Sequence, residues 1–407
     1  MTQPGVELLA PAGNRECLEA AARFGADAVY AAGKVYGLRA FADNFTLEEI
    51  SDAAAYLHRL GKKLYIALNA VFHEQDYEGL EAYVSGLYDA RVDALIVSDP
   101  GVMMTVRRVT PDMPVHISTQ ANICSAASAA FWHAQGASRV ILSRELSLDE
   151  ISSIRRKLPD TVEIEAFVHG AMCISYSGRC LLSSFITGRS GNSGACAQPC
   201  RWEFTLHEKG YKDDYFPVGE DERGTYILNS KDLCMLPHVK EMSEAGIVSL
   251  KIEGRMKSAY YVACVTRAYR RALDDMAAGR PFDASLMAEV EKAGSRAFTT
   301  GFYFGNPGKA GQDTSRGTVV RTYDFVGVVK ENLPDGWLLV QQRGKFCVGD
   351  TLEALTPGET GEFTVTEIRT PEGELRECAP HPKELLHIRC PLPLQPGDML
   401  RIRRKQA

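Results

Sequence analysis

Short apolar runs alternate with alanine-rich stretches through the first two-thirds of the chain. The runs are VELLAPAG, ADAVYAAG, KLYIALNA, VDALIVSD, VHISTQAN, RVILSREL, VEIEAFVHG and VSLKIEGR. Each is nearly continuous in apolar residues, the pattern of a strand buried on both faces of a parallel sheet. Between them, NRECLEAAARF, TLEEISDAAAYLHRL and SLDEISSIRRKL repeat their apolar residues at helical spacing. Thr46 and Ser147 stand where N-caps belong, each with an acidic residue three positions on, the sign of a capping box. Eight strands alternating with helices predict an α/β fold, a TIM-like (β/α)8 barrel. A doubly wound open sheet is the alternative, weakened because no G-x-G-x-x-G follows the first strand.

Near residue 320 the pattern changes. After the helix YYVACVTRAYRRALDDMAAG and the loop-like stretch RAFTTGFYFG come short alternating runs broken by P-D-G, V-G-D, T-P-G and P-G-D. Those turns predict a small antiparallel β-barrel. The expected domains are a barrel over 1–320, with a cysteine-rich insertion at about 170–235, and a β-barrel over 321–407. In the second, Trp337 and Phe346 are candidate stacking residues for single-stranded RNA, unless they fill its core.

A barrel of this kind works at the C-terminal ends of its strands. Polar residues follow six of the eight runs: Asn69; Ser98 and Asp99; Ser118, Gln120 and Asn122; Arg144 and Glu145; His169; Glu253 and Arg255. One such residue is usually a loop or cap group, but six sets mark a candidate site. Arg144 and Arg255 suit a bidentate carboxylate clamp, or pair with Glu145 and Glu253. Glu165 shares a strand face with Phe167, so it points into the barrel and needs a partner such as an arginine or Lys251. His169 is a candidate general acid–base or a structural histidine. Lys231 is a candidate phosphate or carboxylate contact, or a plain surface lysine.

Composition narrows this. The chain has 407 residues, 45% hydrophobic and 24% charged, with net charge −6. That excludes a globally basic nucleic-acid binder but not a local patch such as the tail RIRRKQA. No long apolar run or signal-like N-terminus is present, so no membrane association and a cytoplasmic location are expected. Eleven cysteines in such a chain point to metal binding or catalysis rather than disulfides.

Five of them, Cys173, Cys180, Cys196, Cys200 and Cys234, fall within 62 residues after the seventh run. Thiolates in such numbers suit zinc or a 4Fe–4S cluster. The gaps lack the paired C-x-x-C knuckles of structural zinc. A catalytic thiol near His169 is a third reading. Cys17, Cys124, Cys264, Cys347, Cys378 and Cys390 read as small buried apolar residues.

The stretch EAFVHGAMCISYSGRCLLS, with ELLAPAG, GACAQPCRW, NSKDL and KIEGRMK, closely resembles the collagenase-like peptidase U family across essentially the whole chain. The length and domain order are most similar to its branch for prephenate-dependent tRNA 5-hydroxyuridine synthesis. The resemblance implies oxygen-independent hydroxylation of wobble uridine, a 4Fe–4S cluster with zinc as the alternative, and prephenate as a linked metabolite. It implies the tRNA anticodon loop as partner, with a candidate protein partner of the same family. It carries cluster-ligand roles to Cys173, Cys180, Cys196 and Cys234, with Cys200 competing with Cys196. The remaining candidates are catalytic Glu165, His169, Arg144, Arg255 and Glu253, and substrate-binding Asn69, Ser118, Gln120, Asn122 and Lys231. Competing functions are a cysteine or metal-dependent peptidase, ribosomal RNA hydroxylation, and a non-catalytic RNA-binding partner. No H-E-x-x-H or G-x-S-x-G motif supports the peptidase.

Overall fold

The structure is a computed structural model. It describes residues 5–37, 43–172, 180, 182–189, 191, 195–202, 205–207, 215–217, 231–294, 296–307, 311 and 321–404. All eight apolar runs are strands: β1 (Glu7–Pro11), β2 (Ala28–Ala31), β3 (Lys63–Leu68), β4 (Ala94–Val97), β5 (Val115–Ile117), β6 (Arg139–Ile141), β7 (Glu163–Ala171) and, after three short strands, β11 (Ser249–Ile252). The intervening three are β8 (Thr205–His207), β9 (Tyr215–Pro217) and β10 (Asp232–Cys234). Neighbours in the barrel pair in parallel, and β11 closes it by pairing with both β1 and β7. The strand residues are almost all buried, as continuous apolar runs between a filled interior and a helical jacket must be.

The jacket includes α1 (Arg15–Arg23), α2 (Leu47–Arg59), α3 (Leu80–Asp89), α4 (Pro100–Val109), α5 (Ala126–Ala134) and α6 (Leu148–Arg155). It continues with α8 (Val239–Glu244), α9 (Ala259–Ala277) and α10 (Ser285–Lys292), while α7 (Leu182–Thr187) lies in the inserted segment. Thr46 and Ser147 both form complete capping boxes, with Glu49 and Glu150 reaching back to the cap N–H.

Two details position the site. The end of β7 runs past the barrel layer and pairs antiparallel with β10, Cys234 opposite His169. The short β12 (Phe298–Thr299) then pairs with β10. Gly170 makes the crossing: its φ is +108°, and an added Cβ would lie 2.6 Å from the Glu253 carbonyl oxygen.

The C-terminal unit is an eight-stranded antiparallel sheet curled around its own core of Val326, Val340, Phe346, Leu352 and their neighbours. Its strands are β13 (Tyr323–Leu333), β14 (Trp337–Gln342), β16 (Thr351–Leu355), β17 (Gly361–Thr364), β18 (Ile368–Arg369), β19 (Leu375–Arg376), β21 (Leu385–Arg389) and β22 (Met399–Arg403); β15 (Phe346–Cys347) and β20 (Cys378–Ala379) form a separate ribbon. Phe346 is a core residue, whereas Trp337 is half-buried with Arg369 and Arg389 over its ring at 4.7 and 5.2 Å. The sequence expectation for two cysteines is corrected here. Cys347 and Cys378 face each other across β15 and β20 and are joined in a disulfide, because strand pairing brings residues 31 apart into register. Cys124 is exposed rather than buried, while Cys17, Cys264 and Cys390 are buried as expected.

Arg401 couples the two units. It is fully buried and donates to Glu289 on α10 at 2.6 and 3.0 Å, and to Glu353 of β16. Among the described residues no helix is long and apolar enough to cross a membrane.

Candidate functional site

Some of the polar residues that follow the strands meet at the C-terminal mouth of the barrel. Asn69, after β3, donates its amide to Ser118 Oγ at 3.2 Å, spanning the end of β4. Ser118 Oγ also accepts the Gln120 N–H at 3.3 Å, and Asn122 Nδ2 donates to the Gln120 carbonyl at 3.2 Å. Asn122 has φ of +53°, a left-handed conformation that asparagine tolerates, so the loop can fold back here. These four form one polar wall. Asp99 is not part of it: its carboxylate caps α4 through the N–H groups of Gly101 and Val102 and accepts the Tyr77 hydroxyl.

Two arginines follow other strands of the barrel, Arg144 after β6 and Arg255 after β11. Arg144, buried, donates to the Ala171 carbonyl at 2.9 Å and lies 5.4 Å over the Phe167 ring. Arg255, also buried, reaches toward the loop after β2, its Nη1 3.6 Å from where a Gly37 Cβ would stand. Glu145 accepts the Ser143 hydroxyl, and Glu253 is half-buried beside the end of β7, its N–H donating to the His169 carbonyl at 2.9 Å.

Glu165 and His169 are placed away from the mouth. Glu165 is completely buried in the N-terminal half of the barrel. It accepts Lys251 Nζ at 2.8 Å, Arg139 Nη1 at 3.1 Å and Ser249 Oγ at 3.3 Å. Lys251 is the partner expected from the sequence. The network extends through Arg139 to Glu7 at 2.6 Å, and Glu7 accepts the Tyr65 hydroxyl at 2.7 Å. Burial pushes the Glu7 carboxyl up, but Arg139, Tyr65 and Ser249 outweigh it and hold the group below its usual range. Sequence reasoning missed Glu7 and Arg139; the signal was a charged residue opening an otherwise apolar strand.

His169 turns outward at the register shift between β7 and β11 and packs against α9. Its ring lies among Tyr261, Tyr269 and Phe298, 5.5 to 6.1 Å between centroids. Burial, helped by Lys257, pulls its imidazole down to about 3, so it is neutral. That placement is a packed aromatic cage, not an open acid–base position.

The sulfur residues lie on or beside the segment that leaves β7. Cys180 and Cys196, both half-buried, flank Gly191: an added Cβ there would lie 3.7 Å from Cys196 Sγ and 4.0 Å from the Cys180 carbonyl. Cys196 Sγ accepts the Gln198 N–H at 3.3 Å, which orients the sulfur. Cys200 sits in the 3₁₀ turn Pro199–Arg201. Cys234 is buried on β10; burial pushes its thiol up to about 11, against hydrogen bonds from the Leu236 N–H and Tyr269. Cys173 lies outside the described residues. Among the described residues no three His, Cys, Asp or Glu side chains converge closely enough to hold a metal ion. What fits a soft inorganic group is the donor chemistry: Cys180 and Cys196 both approach Gly191, and β10 pairs Cys234 with the same end of β7 after which Cys173 follows in sequence. Lys231, half-buried, precedes β10, its N–H bonded to the Gly311 carbonyl at 3.0 Å.

Comparison with known proteins follows this division. Residues 13–313 match the family described as peptidase family U32, and residues 321–401 match the peptidase family U32 C-terminal domain. The tRNA hydroxylation protein P1 of Bacillus subtilis (strain 168) is 39% identical over 400 residues, 97% of this chain and 94% of that protein. The tRNA hydroxylation protein P of Escherichia coli (strain K12) is 40% identical over 415 residues, 92% and 91% of the two chains. The 23S rRNA 5-hydroxycytidine C2501 synthase of the same organism is 38% identical over 269 residues, 66% of this chain and 39% of that one.

Proposed function

The chain belongs to peptidase family U32, and from that premise we propose that it is an RNA-modifying hydroxylase. The finer reading is hydroxylation of tRNA wobble uridine at C5, without molecular oxygen, with an iron–sulfur centre and in connection with prephenate. The observation that carries it is a polar barrel mouth beside a sulfur-rich segment, on a chain that aligns over more than nine-tenths of its length with tRNA hydroxylation proteins. The alignment with the ribosomal RNA enzyme is shorter, which favours tRNA.

The residues divide the work by position. Asn69, Ser118, Gln120 and Asn122 offer amide and hydroxyl groups that suit the donor and acceptor edge of a uracil ring. Arg144 and Arg255 suit the carboxylates of prephenate or an RNA phosphate. Lys231 adds a cation at the base of the inserted segment. Cys173, Cys180, Cys196 and Cys234 would hold a 4Fe–4S cluster, with Cys200 the alternative to Cys196. Such a cluster supplies one-electron chemistry or an open iron that acts as a Lewis acid. To ligate, Cys234 must lose a proton that its present surroundings retain.

The peptidase reading has one observation in its favour, Cys234 opposite His169 across β7 and β10. A nucleophilic thiol needs a lowered pKa and access, and this one is buried with its pKa raised. The hydroxylase reading is therefore preferred.

The test is complementation of a deletion strain with wild type, Cys180→Ala and Cys196→Ala. Nucleoside mass spectrometry of tRNA reads the product, and iron and sulfide analysis of anaerobically purified protein reads the cluster. We expect both variants to lose bound iron and 5-hydroxyuridine-derived nucleosides. Full modification by either variant refutes the ligand assignment.

A further inference from the structure

Tyr269 on α9 is fully buried, and its hydroxyl is where three elements meet. It donates to the Val168 carbonyl of β7 at 2.7 Å and accepts the N–H of Met235, the residue after β10, at 3.1 Å. It also hydrogen-bonds the Cys234 sulfur and lies 3.5 Å from His169 Nδ1. The ring stands edge-on to His169, with centroids 5.6 Å apart. A phenylalanine would fill the same space, so packing does not account for the hydroxyl; its bonds do.

Those bonds give one proton two acceptors. The Val168 carbonyl takes it here, yet that carbonyl also accepts the Met235 N–H at 2.8 Å and keeps a partner if the phenol turns away. Cys234 Sγ is the second acceptor. A neutral thiol accepts weakly, but a thiolate accepts strongly, because a hydrogen bond to an ionised group is about twice as strong as a neutral one. Position adds to this chemistry. Cys173 follows β7 in sequence, β10 carries Cys234, and their pairing sets Cys234 opposite His169. Tyr269 holds the backbone of β7 and, at the end of β10, both backbone and sulfur, so it fixes where Cys234 stands against the end of β7.

Resting on the iron–sulfur part of the reading above, we propose that Tyr269 is a positioning residue for that centre. Its hydroxyl donates to Cys234 Sγ when the sulfur binds iron, which holds the sulfur in one direction and draws electron density from it. Hydrogen bonds to ligating sulfurs are a protein's means of orienting the ligand, retaining the metal and setting the potential of such a group. The donor stabilises the more negative, reduced state, so its removal lowers the potential.

The experiment compares full-length wild type, Tyr269→Phe and Tyr303→Phe, all purified without oxygen. Tyr303 is the control: it is buried and donates its hydroxyl to the Phe167 carbonyl at 2.6 Å, a bond of the same kind one residue earlier on β7. Iron and sulfide content, a redox titration followed by electron paramagnetic resonance, and the rate of iron release to a chelator are measured. Tyr269→Phe should hold iron and sulfide as wild type does. Its reduction equilibrium should be about 3- to 10-fold less favourable and its iron release about 3- to 10-fold faster, the span of one lost hydrogen bond. Tyr303→Phe should match wild type in both. Wild-type potential and release rate in Tyr269→Phe overturn the inference and leave the iron–sulfur reading standing. Equal changes in both variants assign Tyr269 to packing alone and also overturn it. If Tyr269→Phe loses all its iron, the melting temperatures of the iron-free proteins decide: one equal to wild type supports positioning, and a lowered one assigns Tyr269 to folding and overturns the inference. Wild type without iron or sulfide overturns both the inference and the iron–sulfur reading.

Discussion

His169 and Glu165 sit four residues apart on β7 and meet opposite surroundings. Glu165 accepts hydrogen bonds from Lys251 and Arg139 inside the barrel. His169 is neutral among aromatic rings outside it. The histidine makes stability depend on pH. Its folded pKa is about 3 against an ordinary imidazole value of 6.5. Between those values the unfolded chain binds the extra proton, so the stabilisation is fully present above pH 6.5 and is lost as pH falls toward 3. His169 should cost about 2 kcal/mol of unfolding free energy between pH 7 and pH 5. His116 adds to the same slope, since burial, with Arg139, Lys251 and Lys63, also lowers its pKa. Denaturant unfolding at the two pH values checks this: His169→Gln should flatten the slope without abolishing it. A slope unchanged by the substitution contradicts the neutral, buried assignment.

At the level of elements, the strand ends carry two kinds of polar residue that a sequence does not separate. Asp99 follows β4 as Ser118 follows β5, but Asp99 is consumed in starting α4 and in holding Tyr77. Asp99→Ala should therefore lower stability by about 1–2 kcal/mol, the usual loss for an N-cap, while RNA binding by the folded protein stays at the wild-type level. Urea unfolding and hairpin titration of the same preparation read the two effects. Weakened RNA binding with unaltered stability would move Asp99 into the site. The helix starts themselves were legible, because a capping box is local: Thr46 with Glu49 and Ser147 with Glu150 complete theirs within one turn. Which face β7 presents at His169 was not legible, because a register shift against β11 changes the alternation expected for a regular strand.

Arg401 is a buried link between the barrel and the C-terminal sheet, alongside the pairs Arg23–Asp398 and Arg343–Glu16. Removing its guanidinium leaves Glu289 and Glu353 buried without that partner, although Lys292 still bonds Glu353 at 2.9 Å. Breaking a buried pair in this way costs about 3–5 kcal/mol. Arg401→Ala should split thermal unfolding into separate transitions for the barrel and the C-terminal sheet, seen by calorimetry. One unshifted transition would show that the apolar contacts of Val328, Leu355 and Met399 with the barrel core suffice alone. Arg401 lies in the RIRR run near the C-terminus, which reads as a solvated charge patch. Only docking of the sheet onto α9 and α10 takes this one arginine out of solvent.

The amino-acid order alone determined the eight barrel strands, the capped helices and the change to an antiparallel domain. Those features follow from periodicity and turn chemistry, which act over a few residues. It also marked the polar strand ends and the cysteine-rich insertion. Tertiary structure decided that Glu165 belongs to a buried ion network, that His169 is caged outside the barrel, and that Cys347 meets Cys378. Each of those depends on a partner far away in the chain, and pairwise burial and charge compensation exist only once the barrel closes.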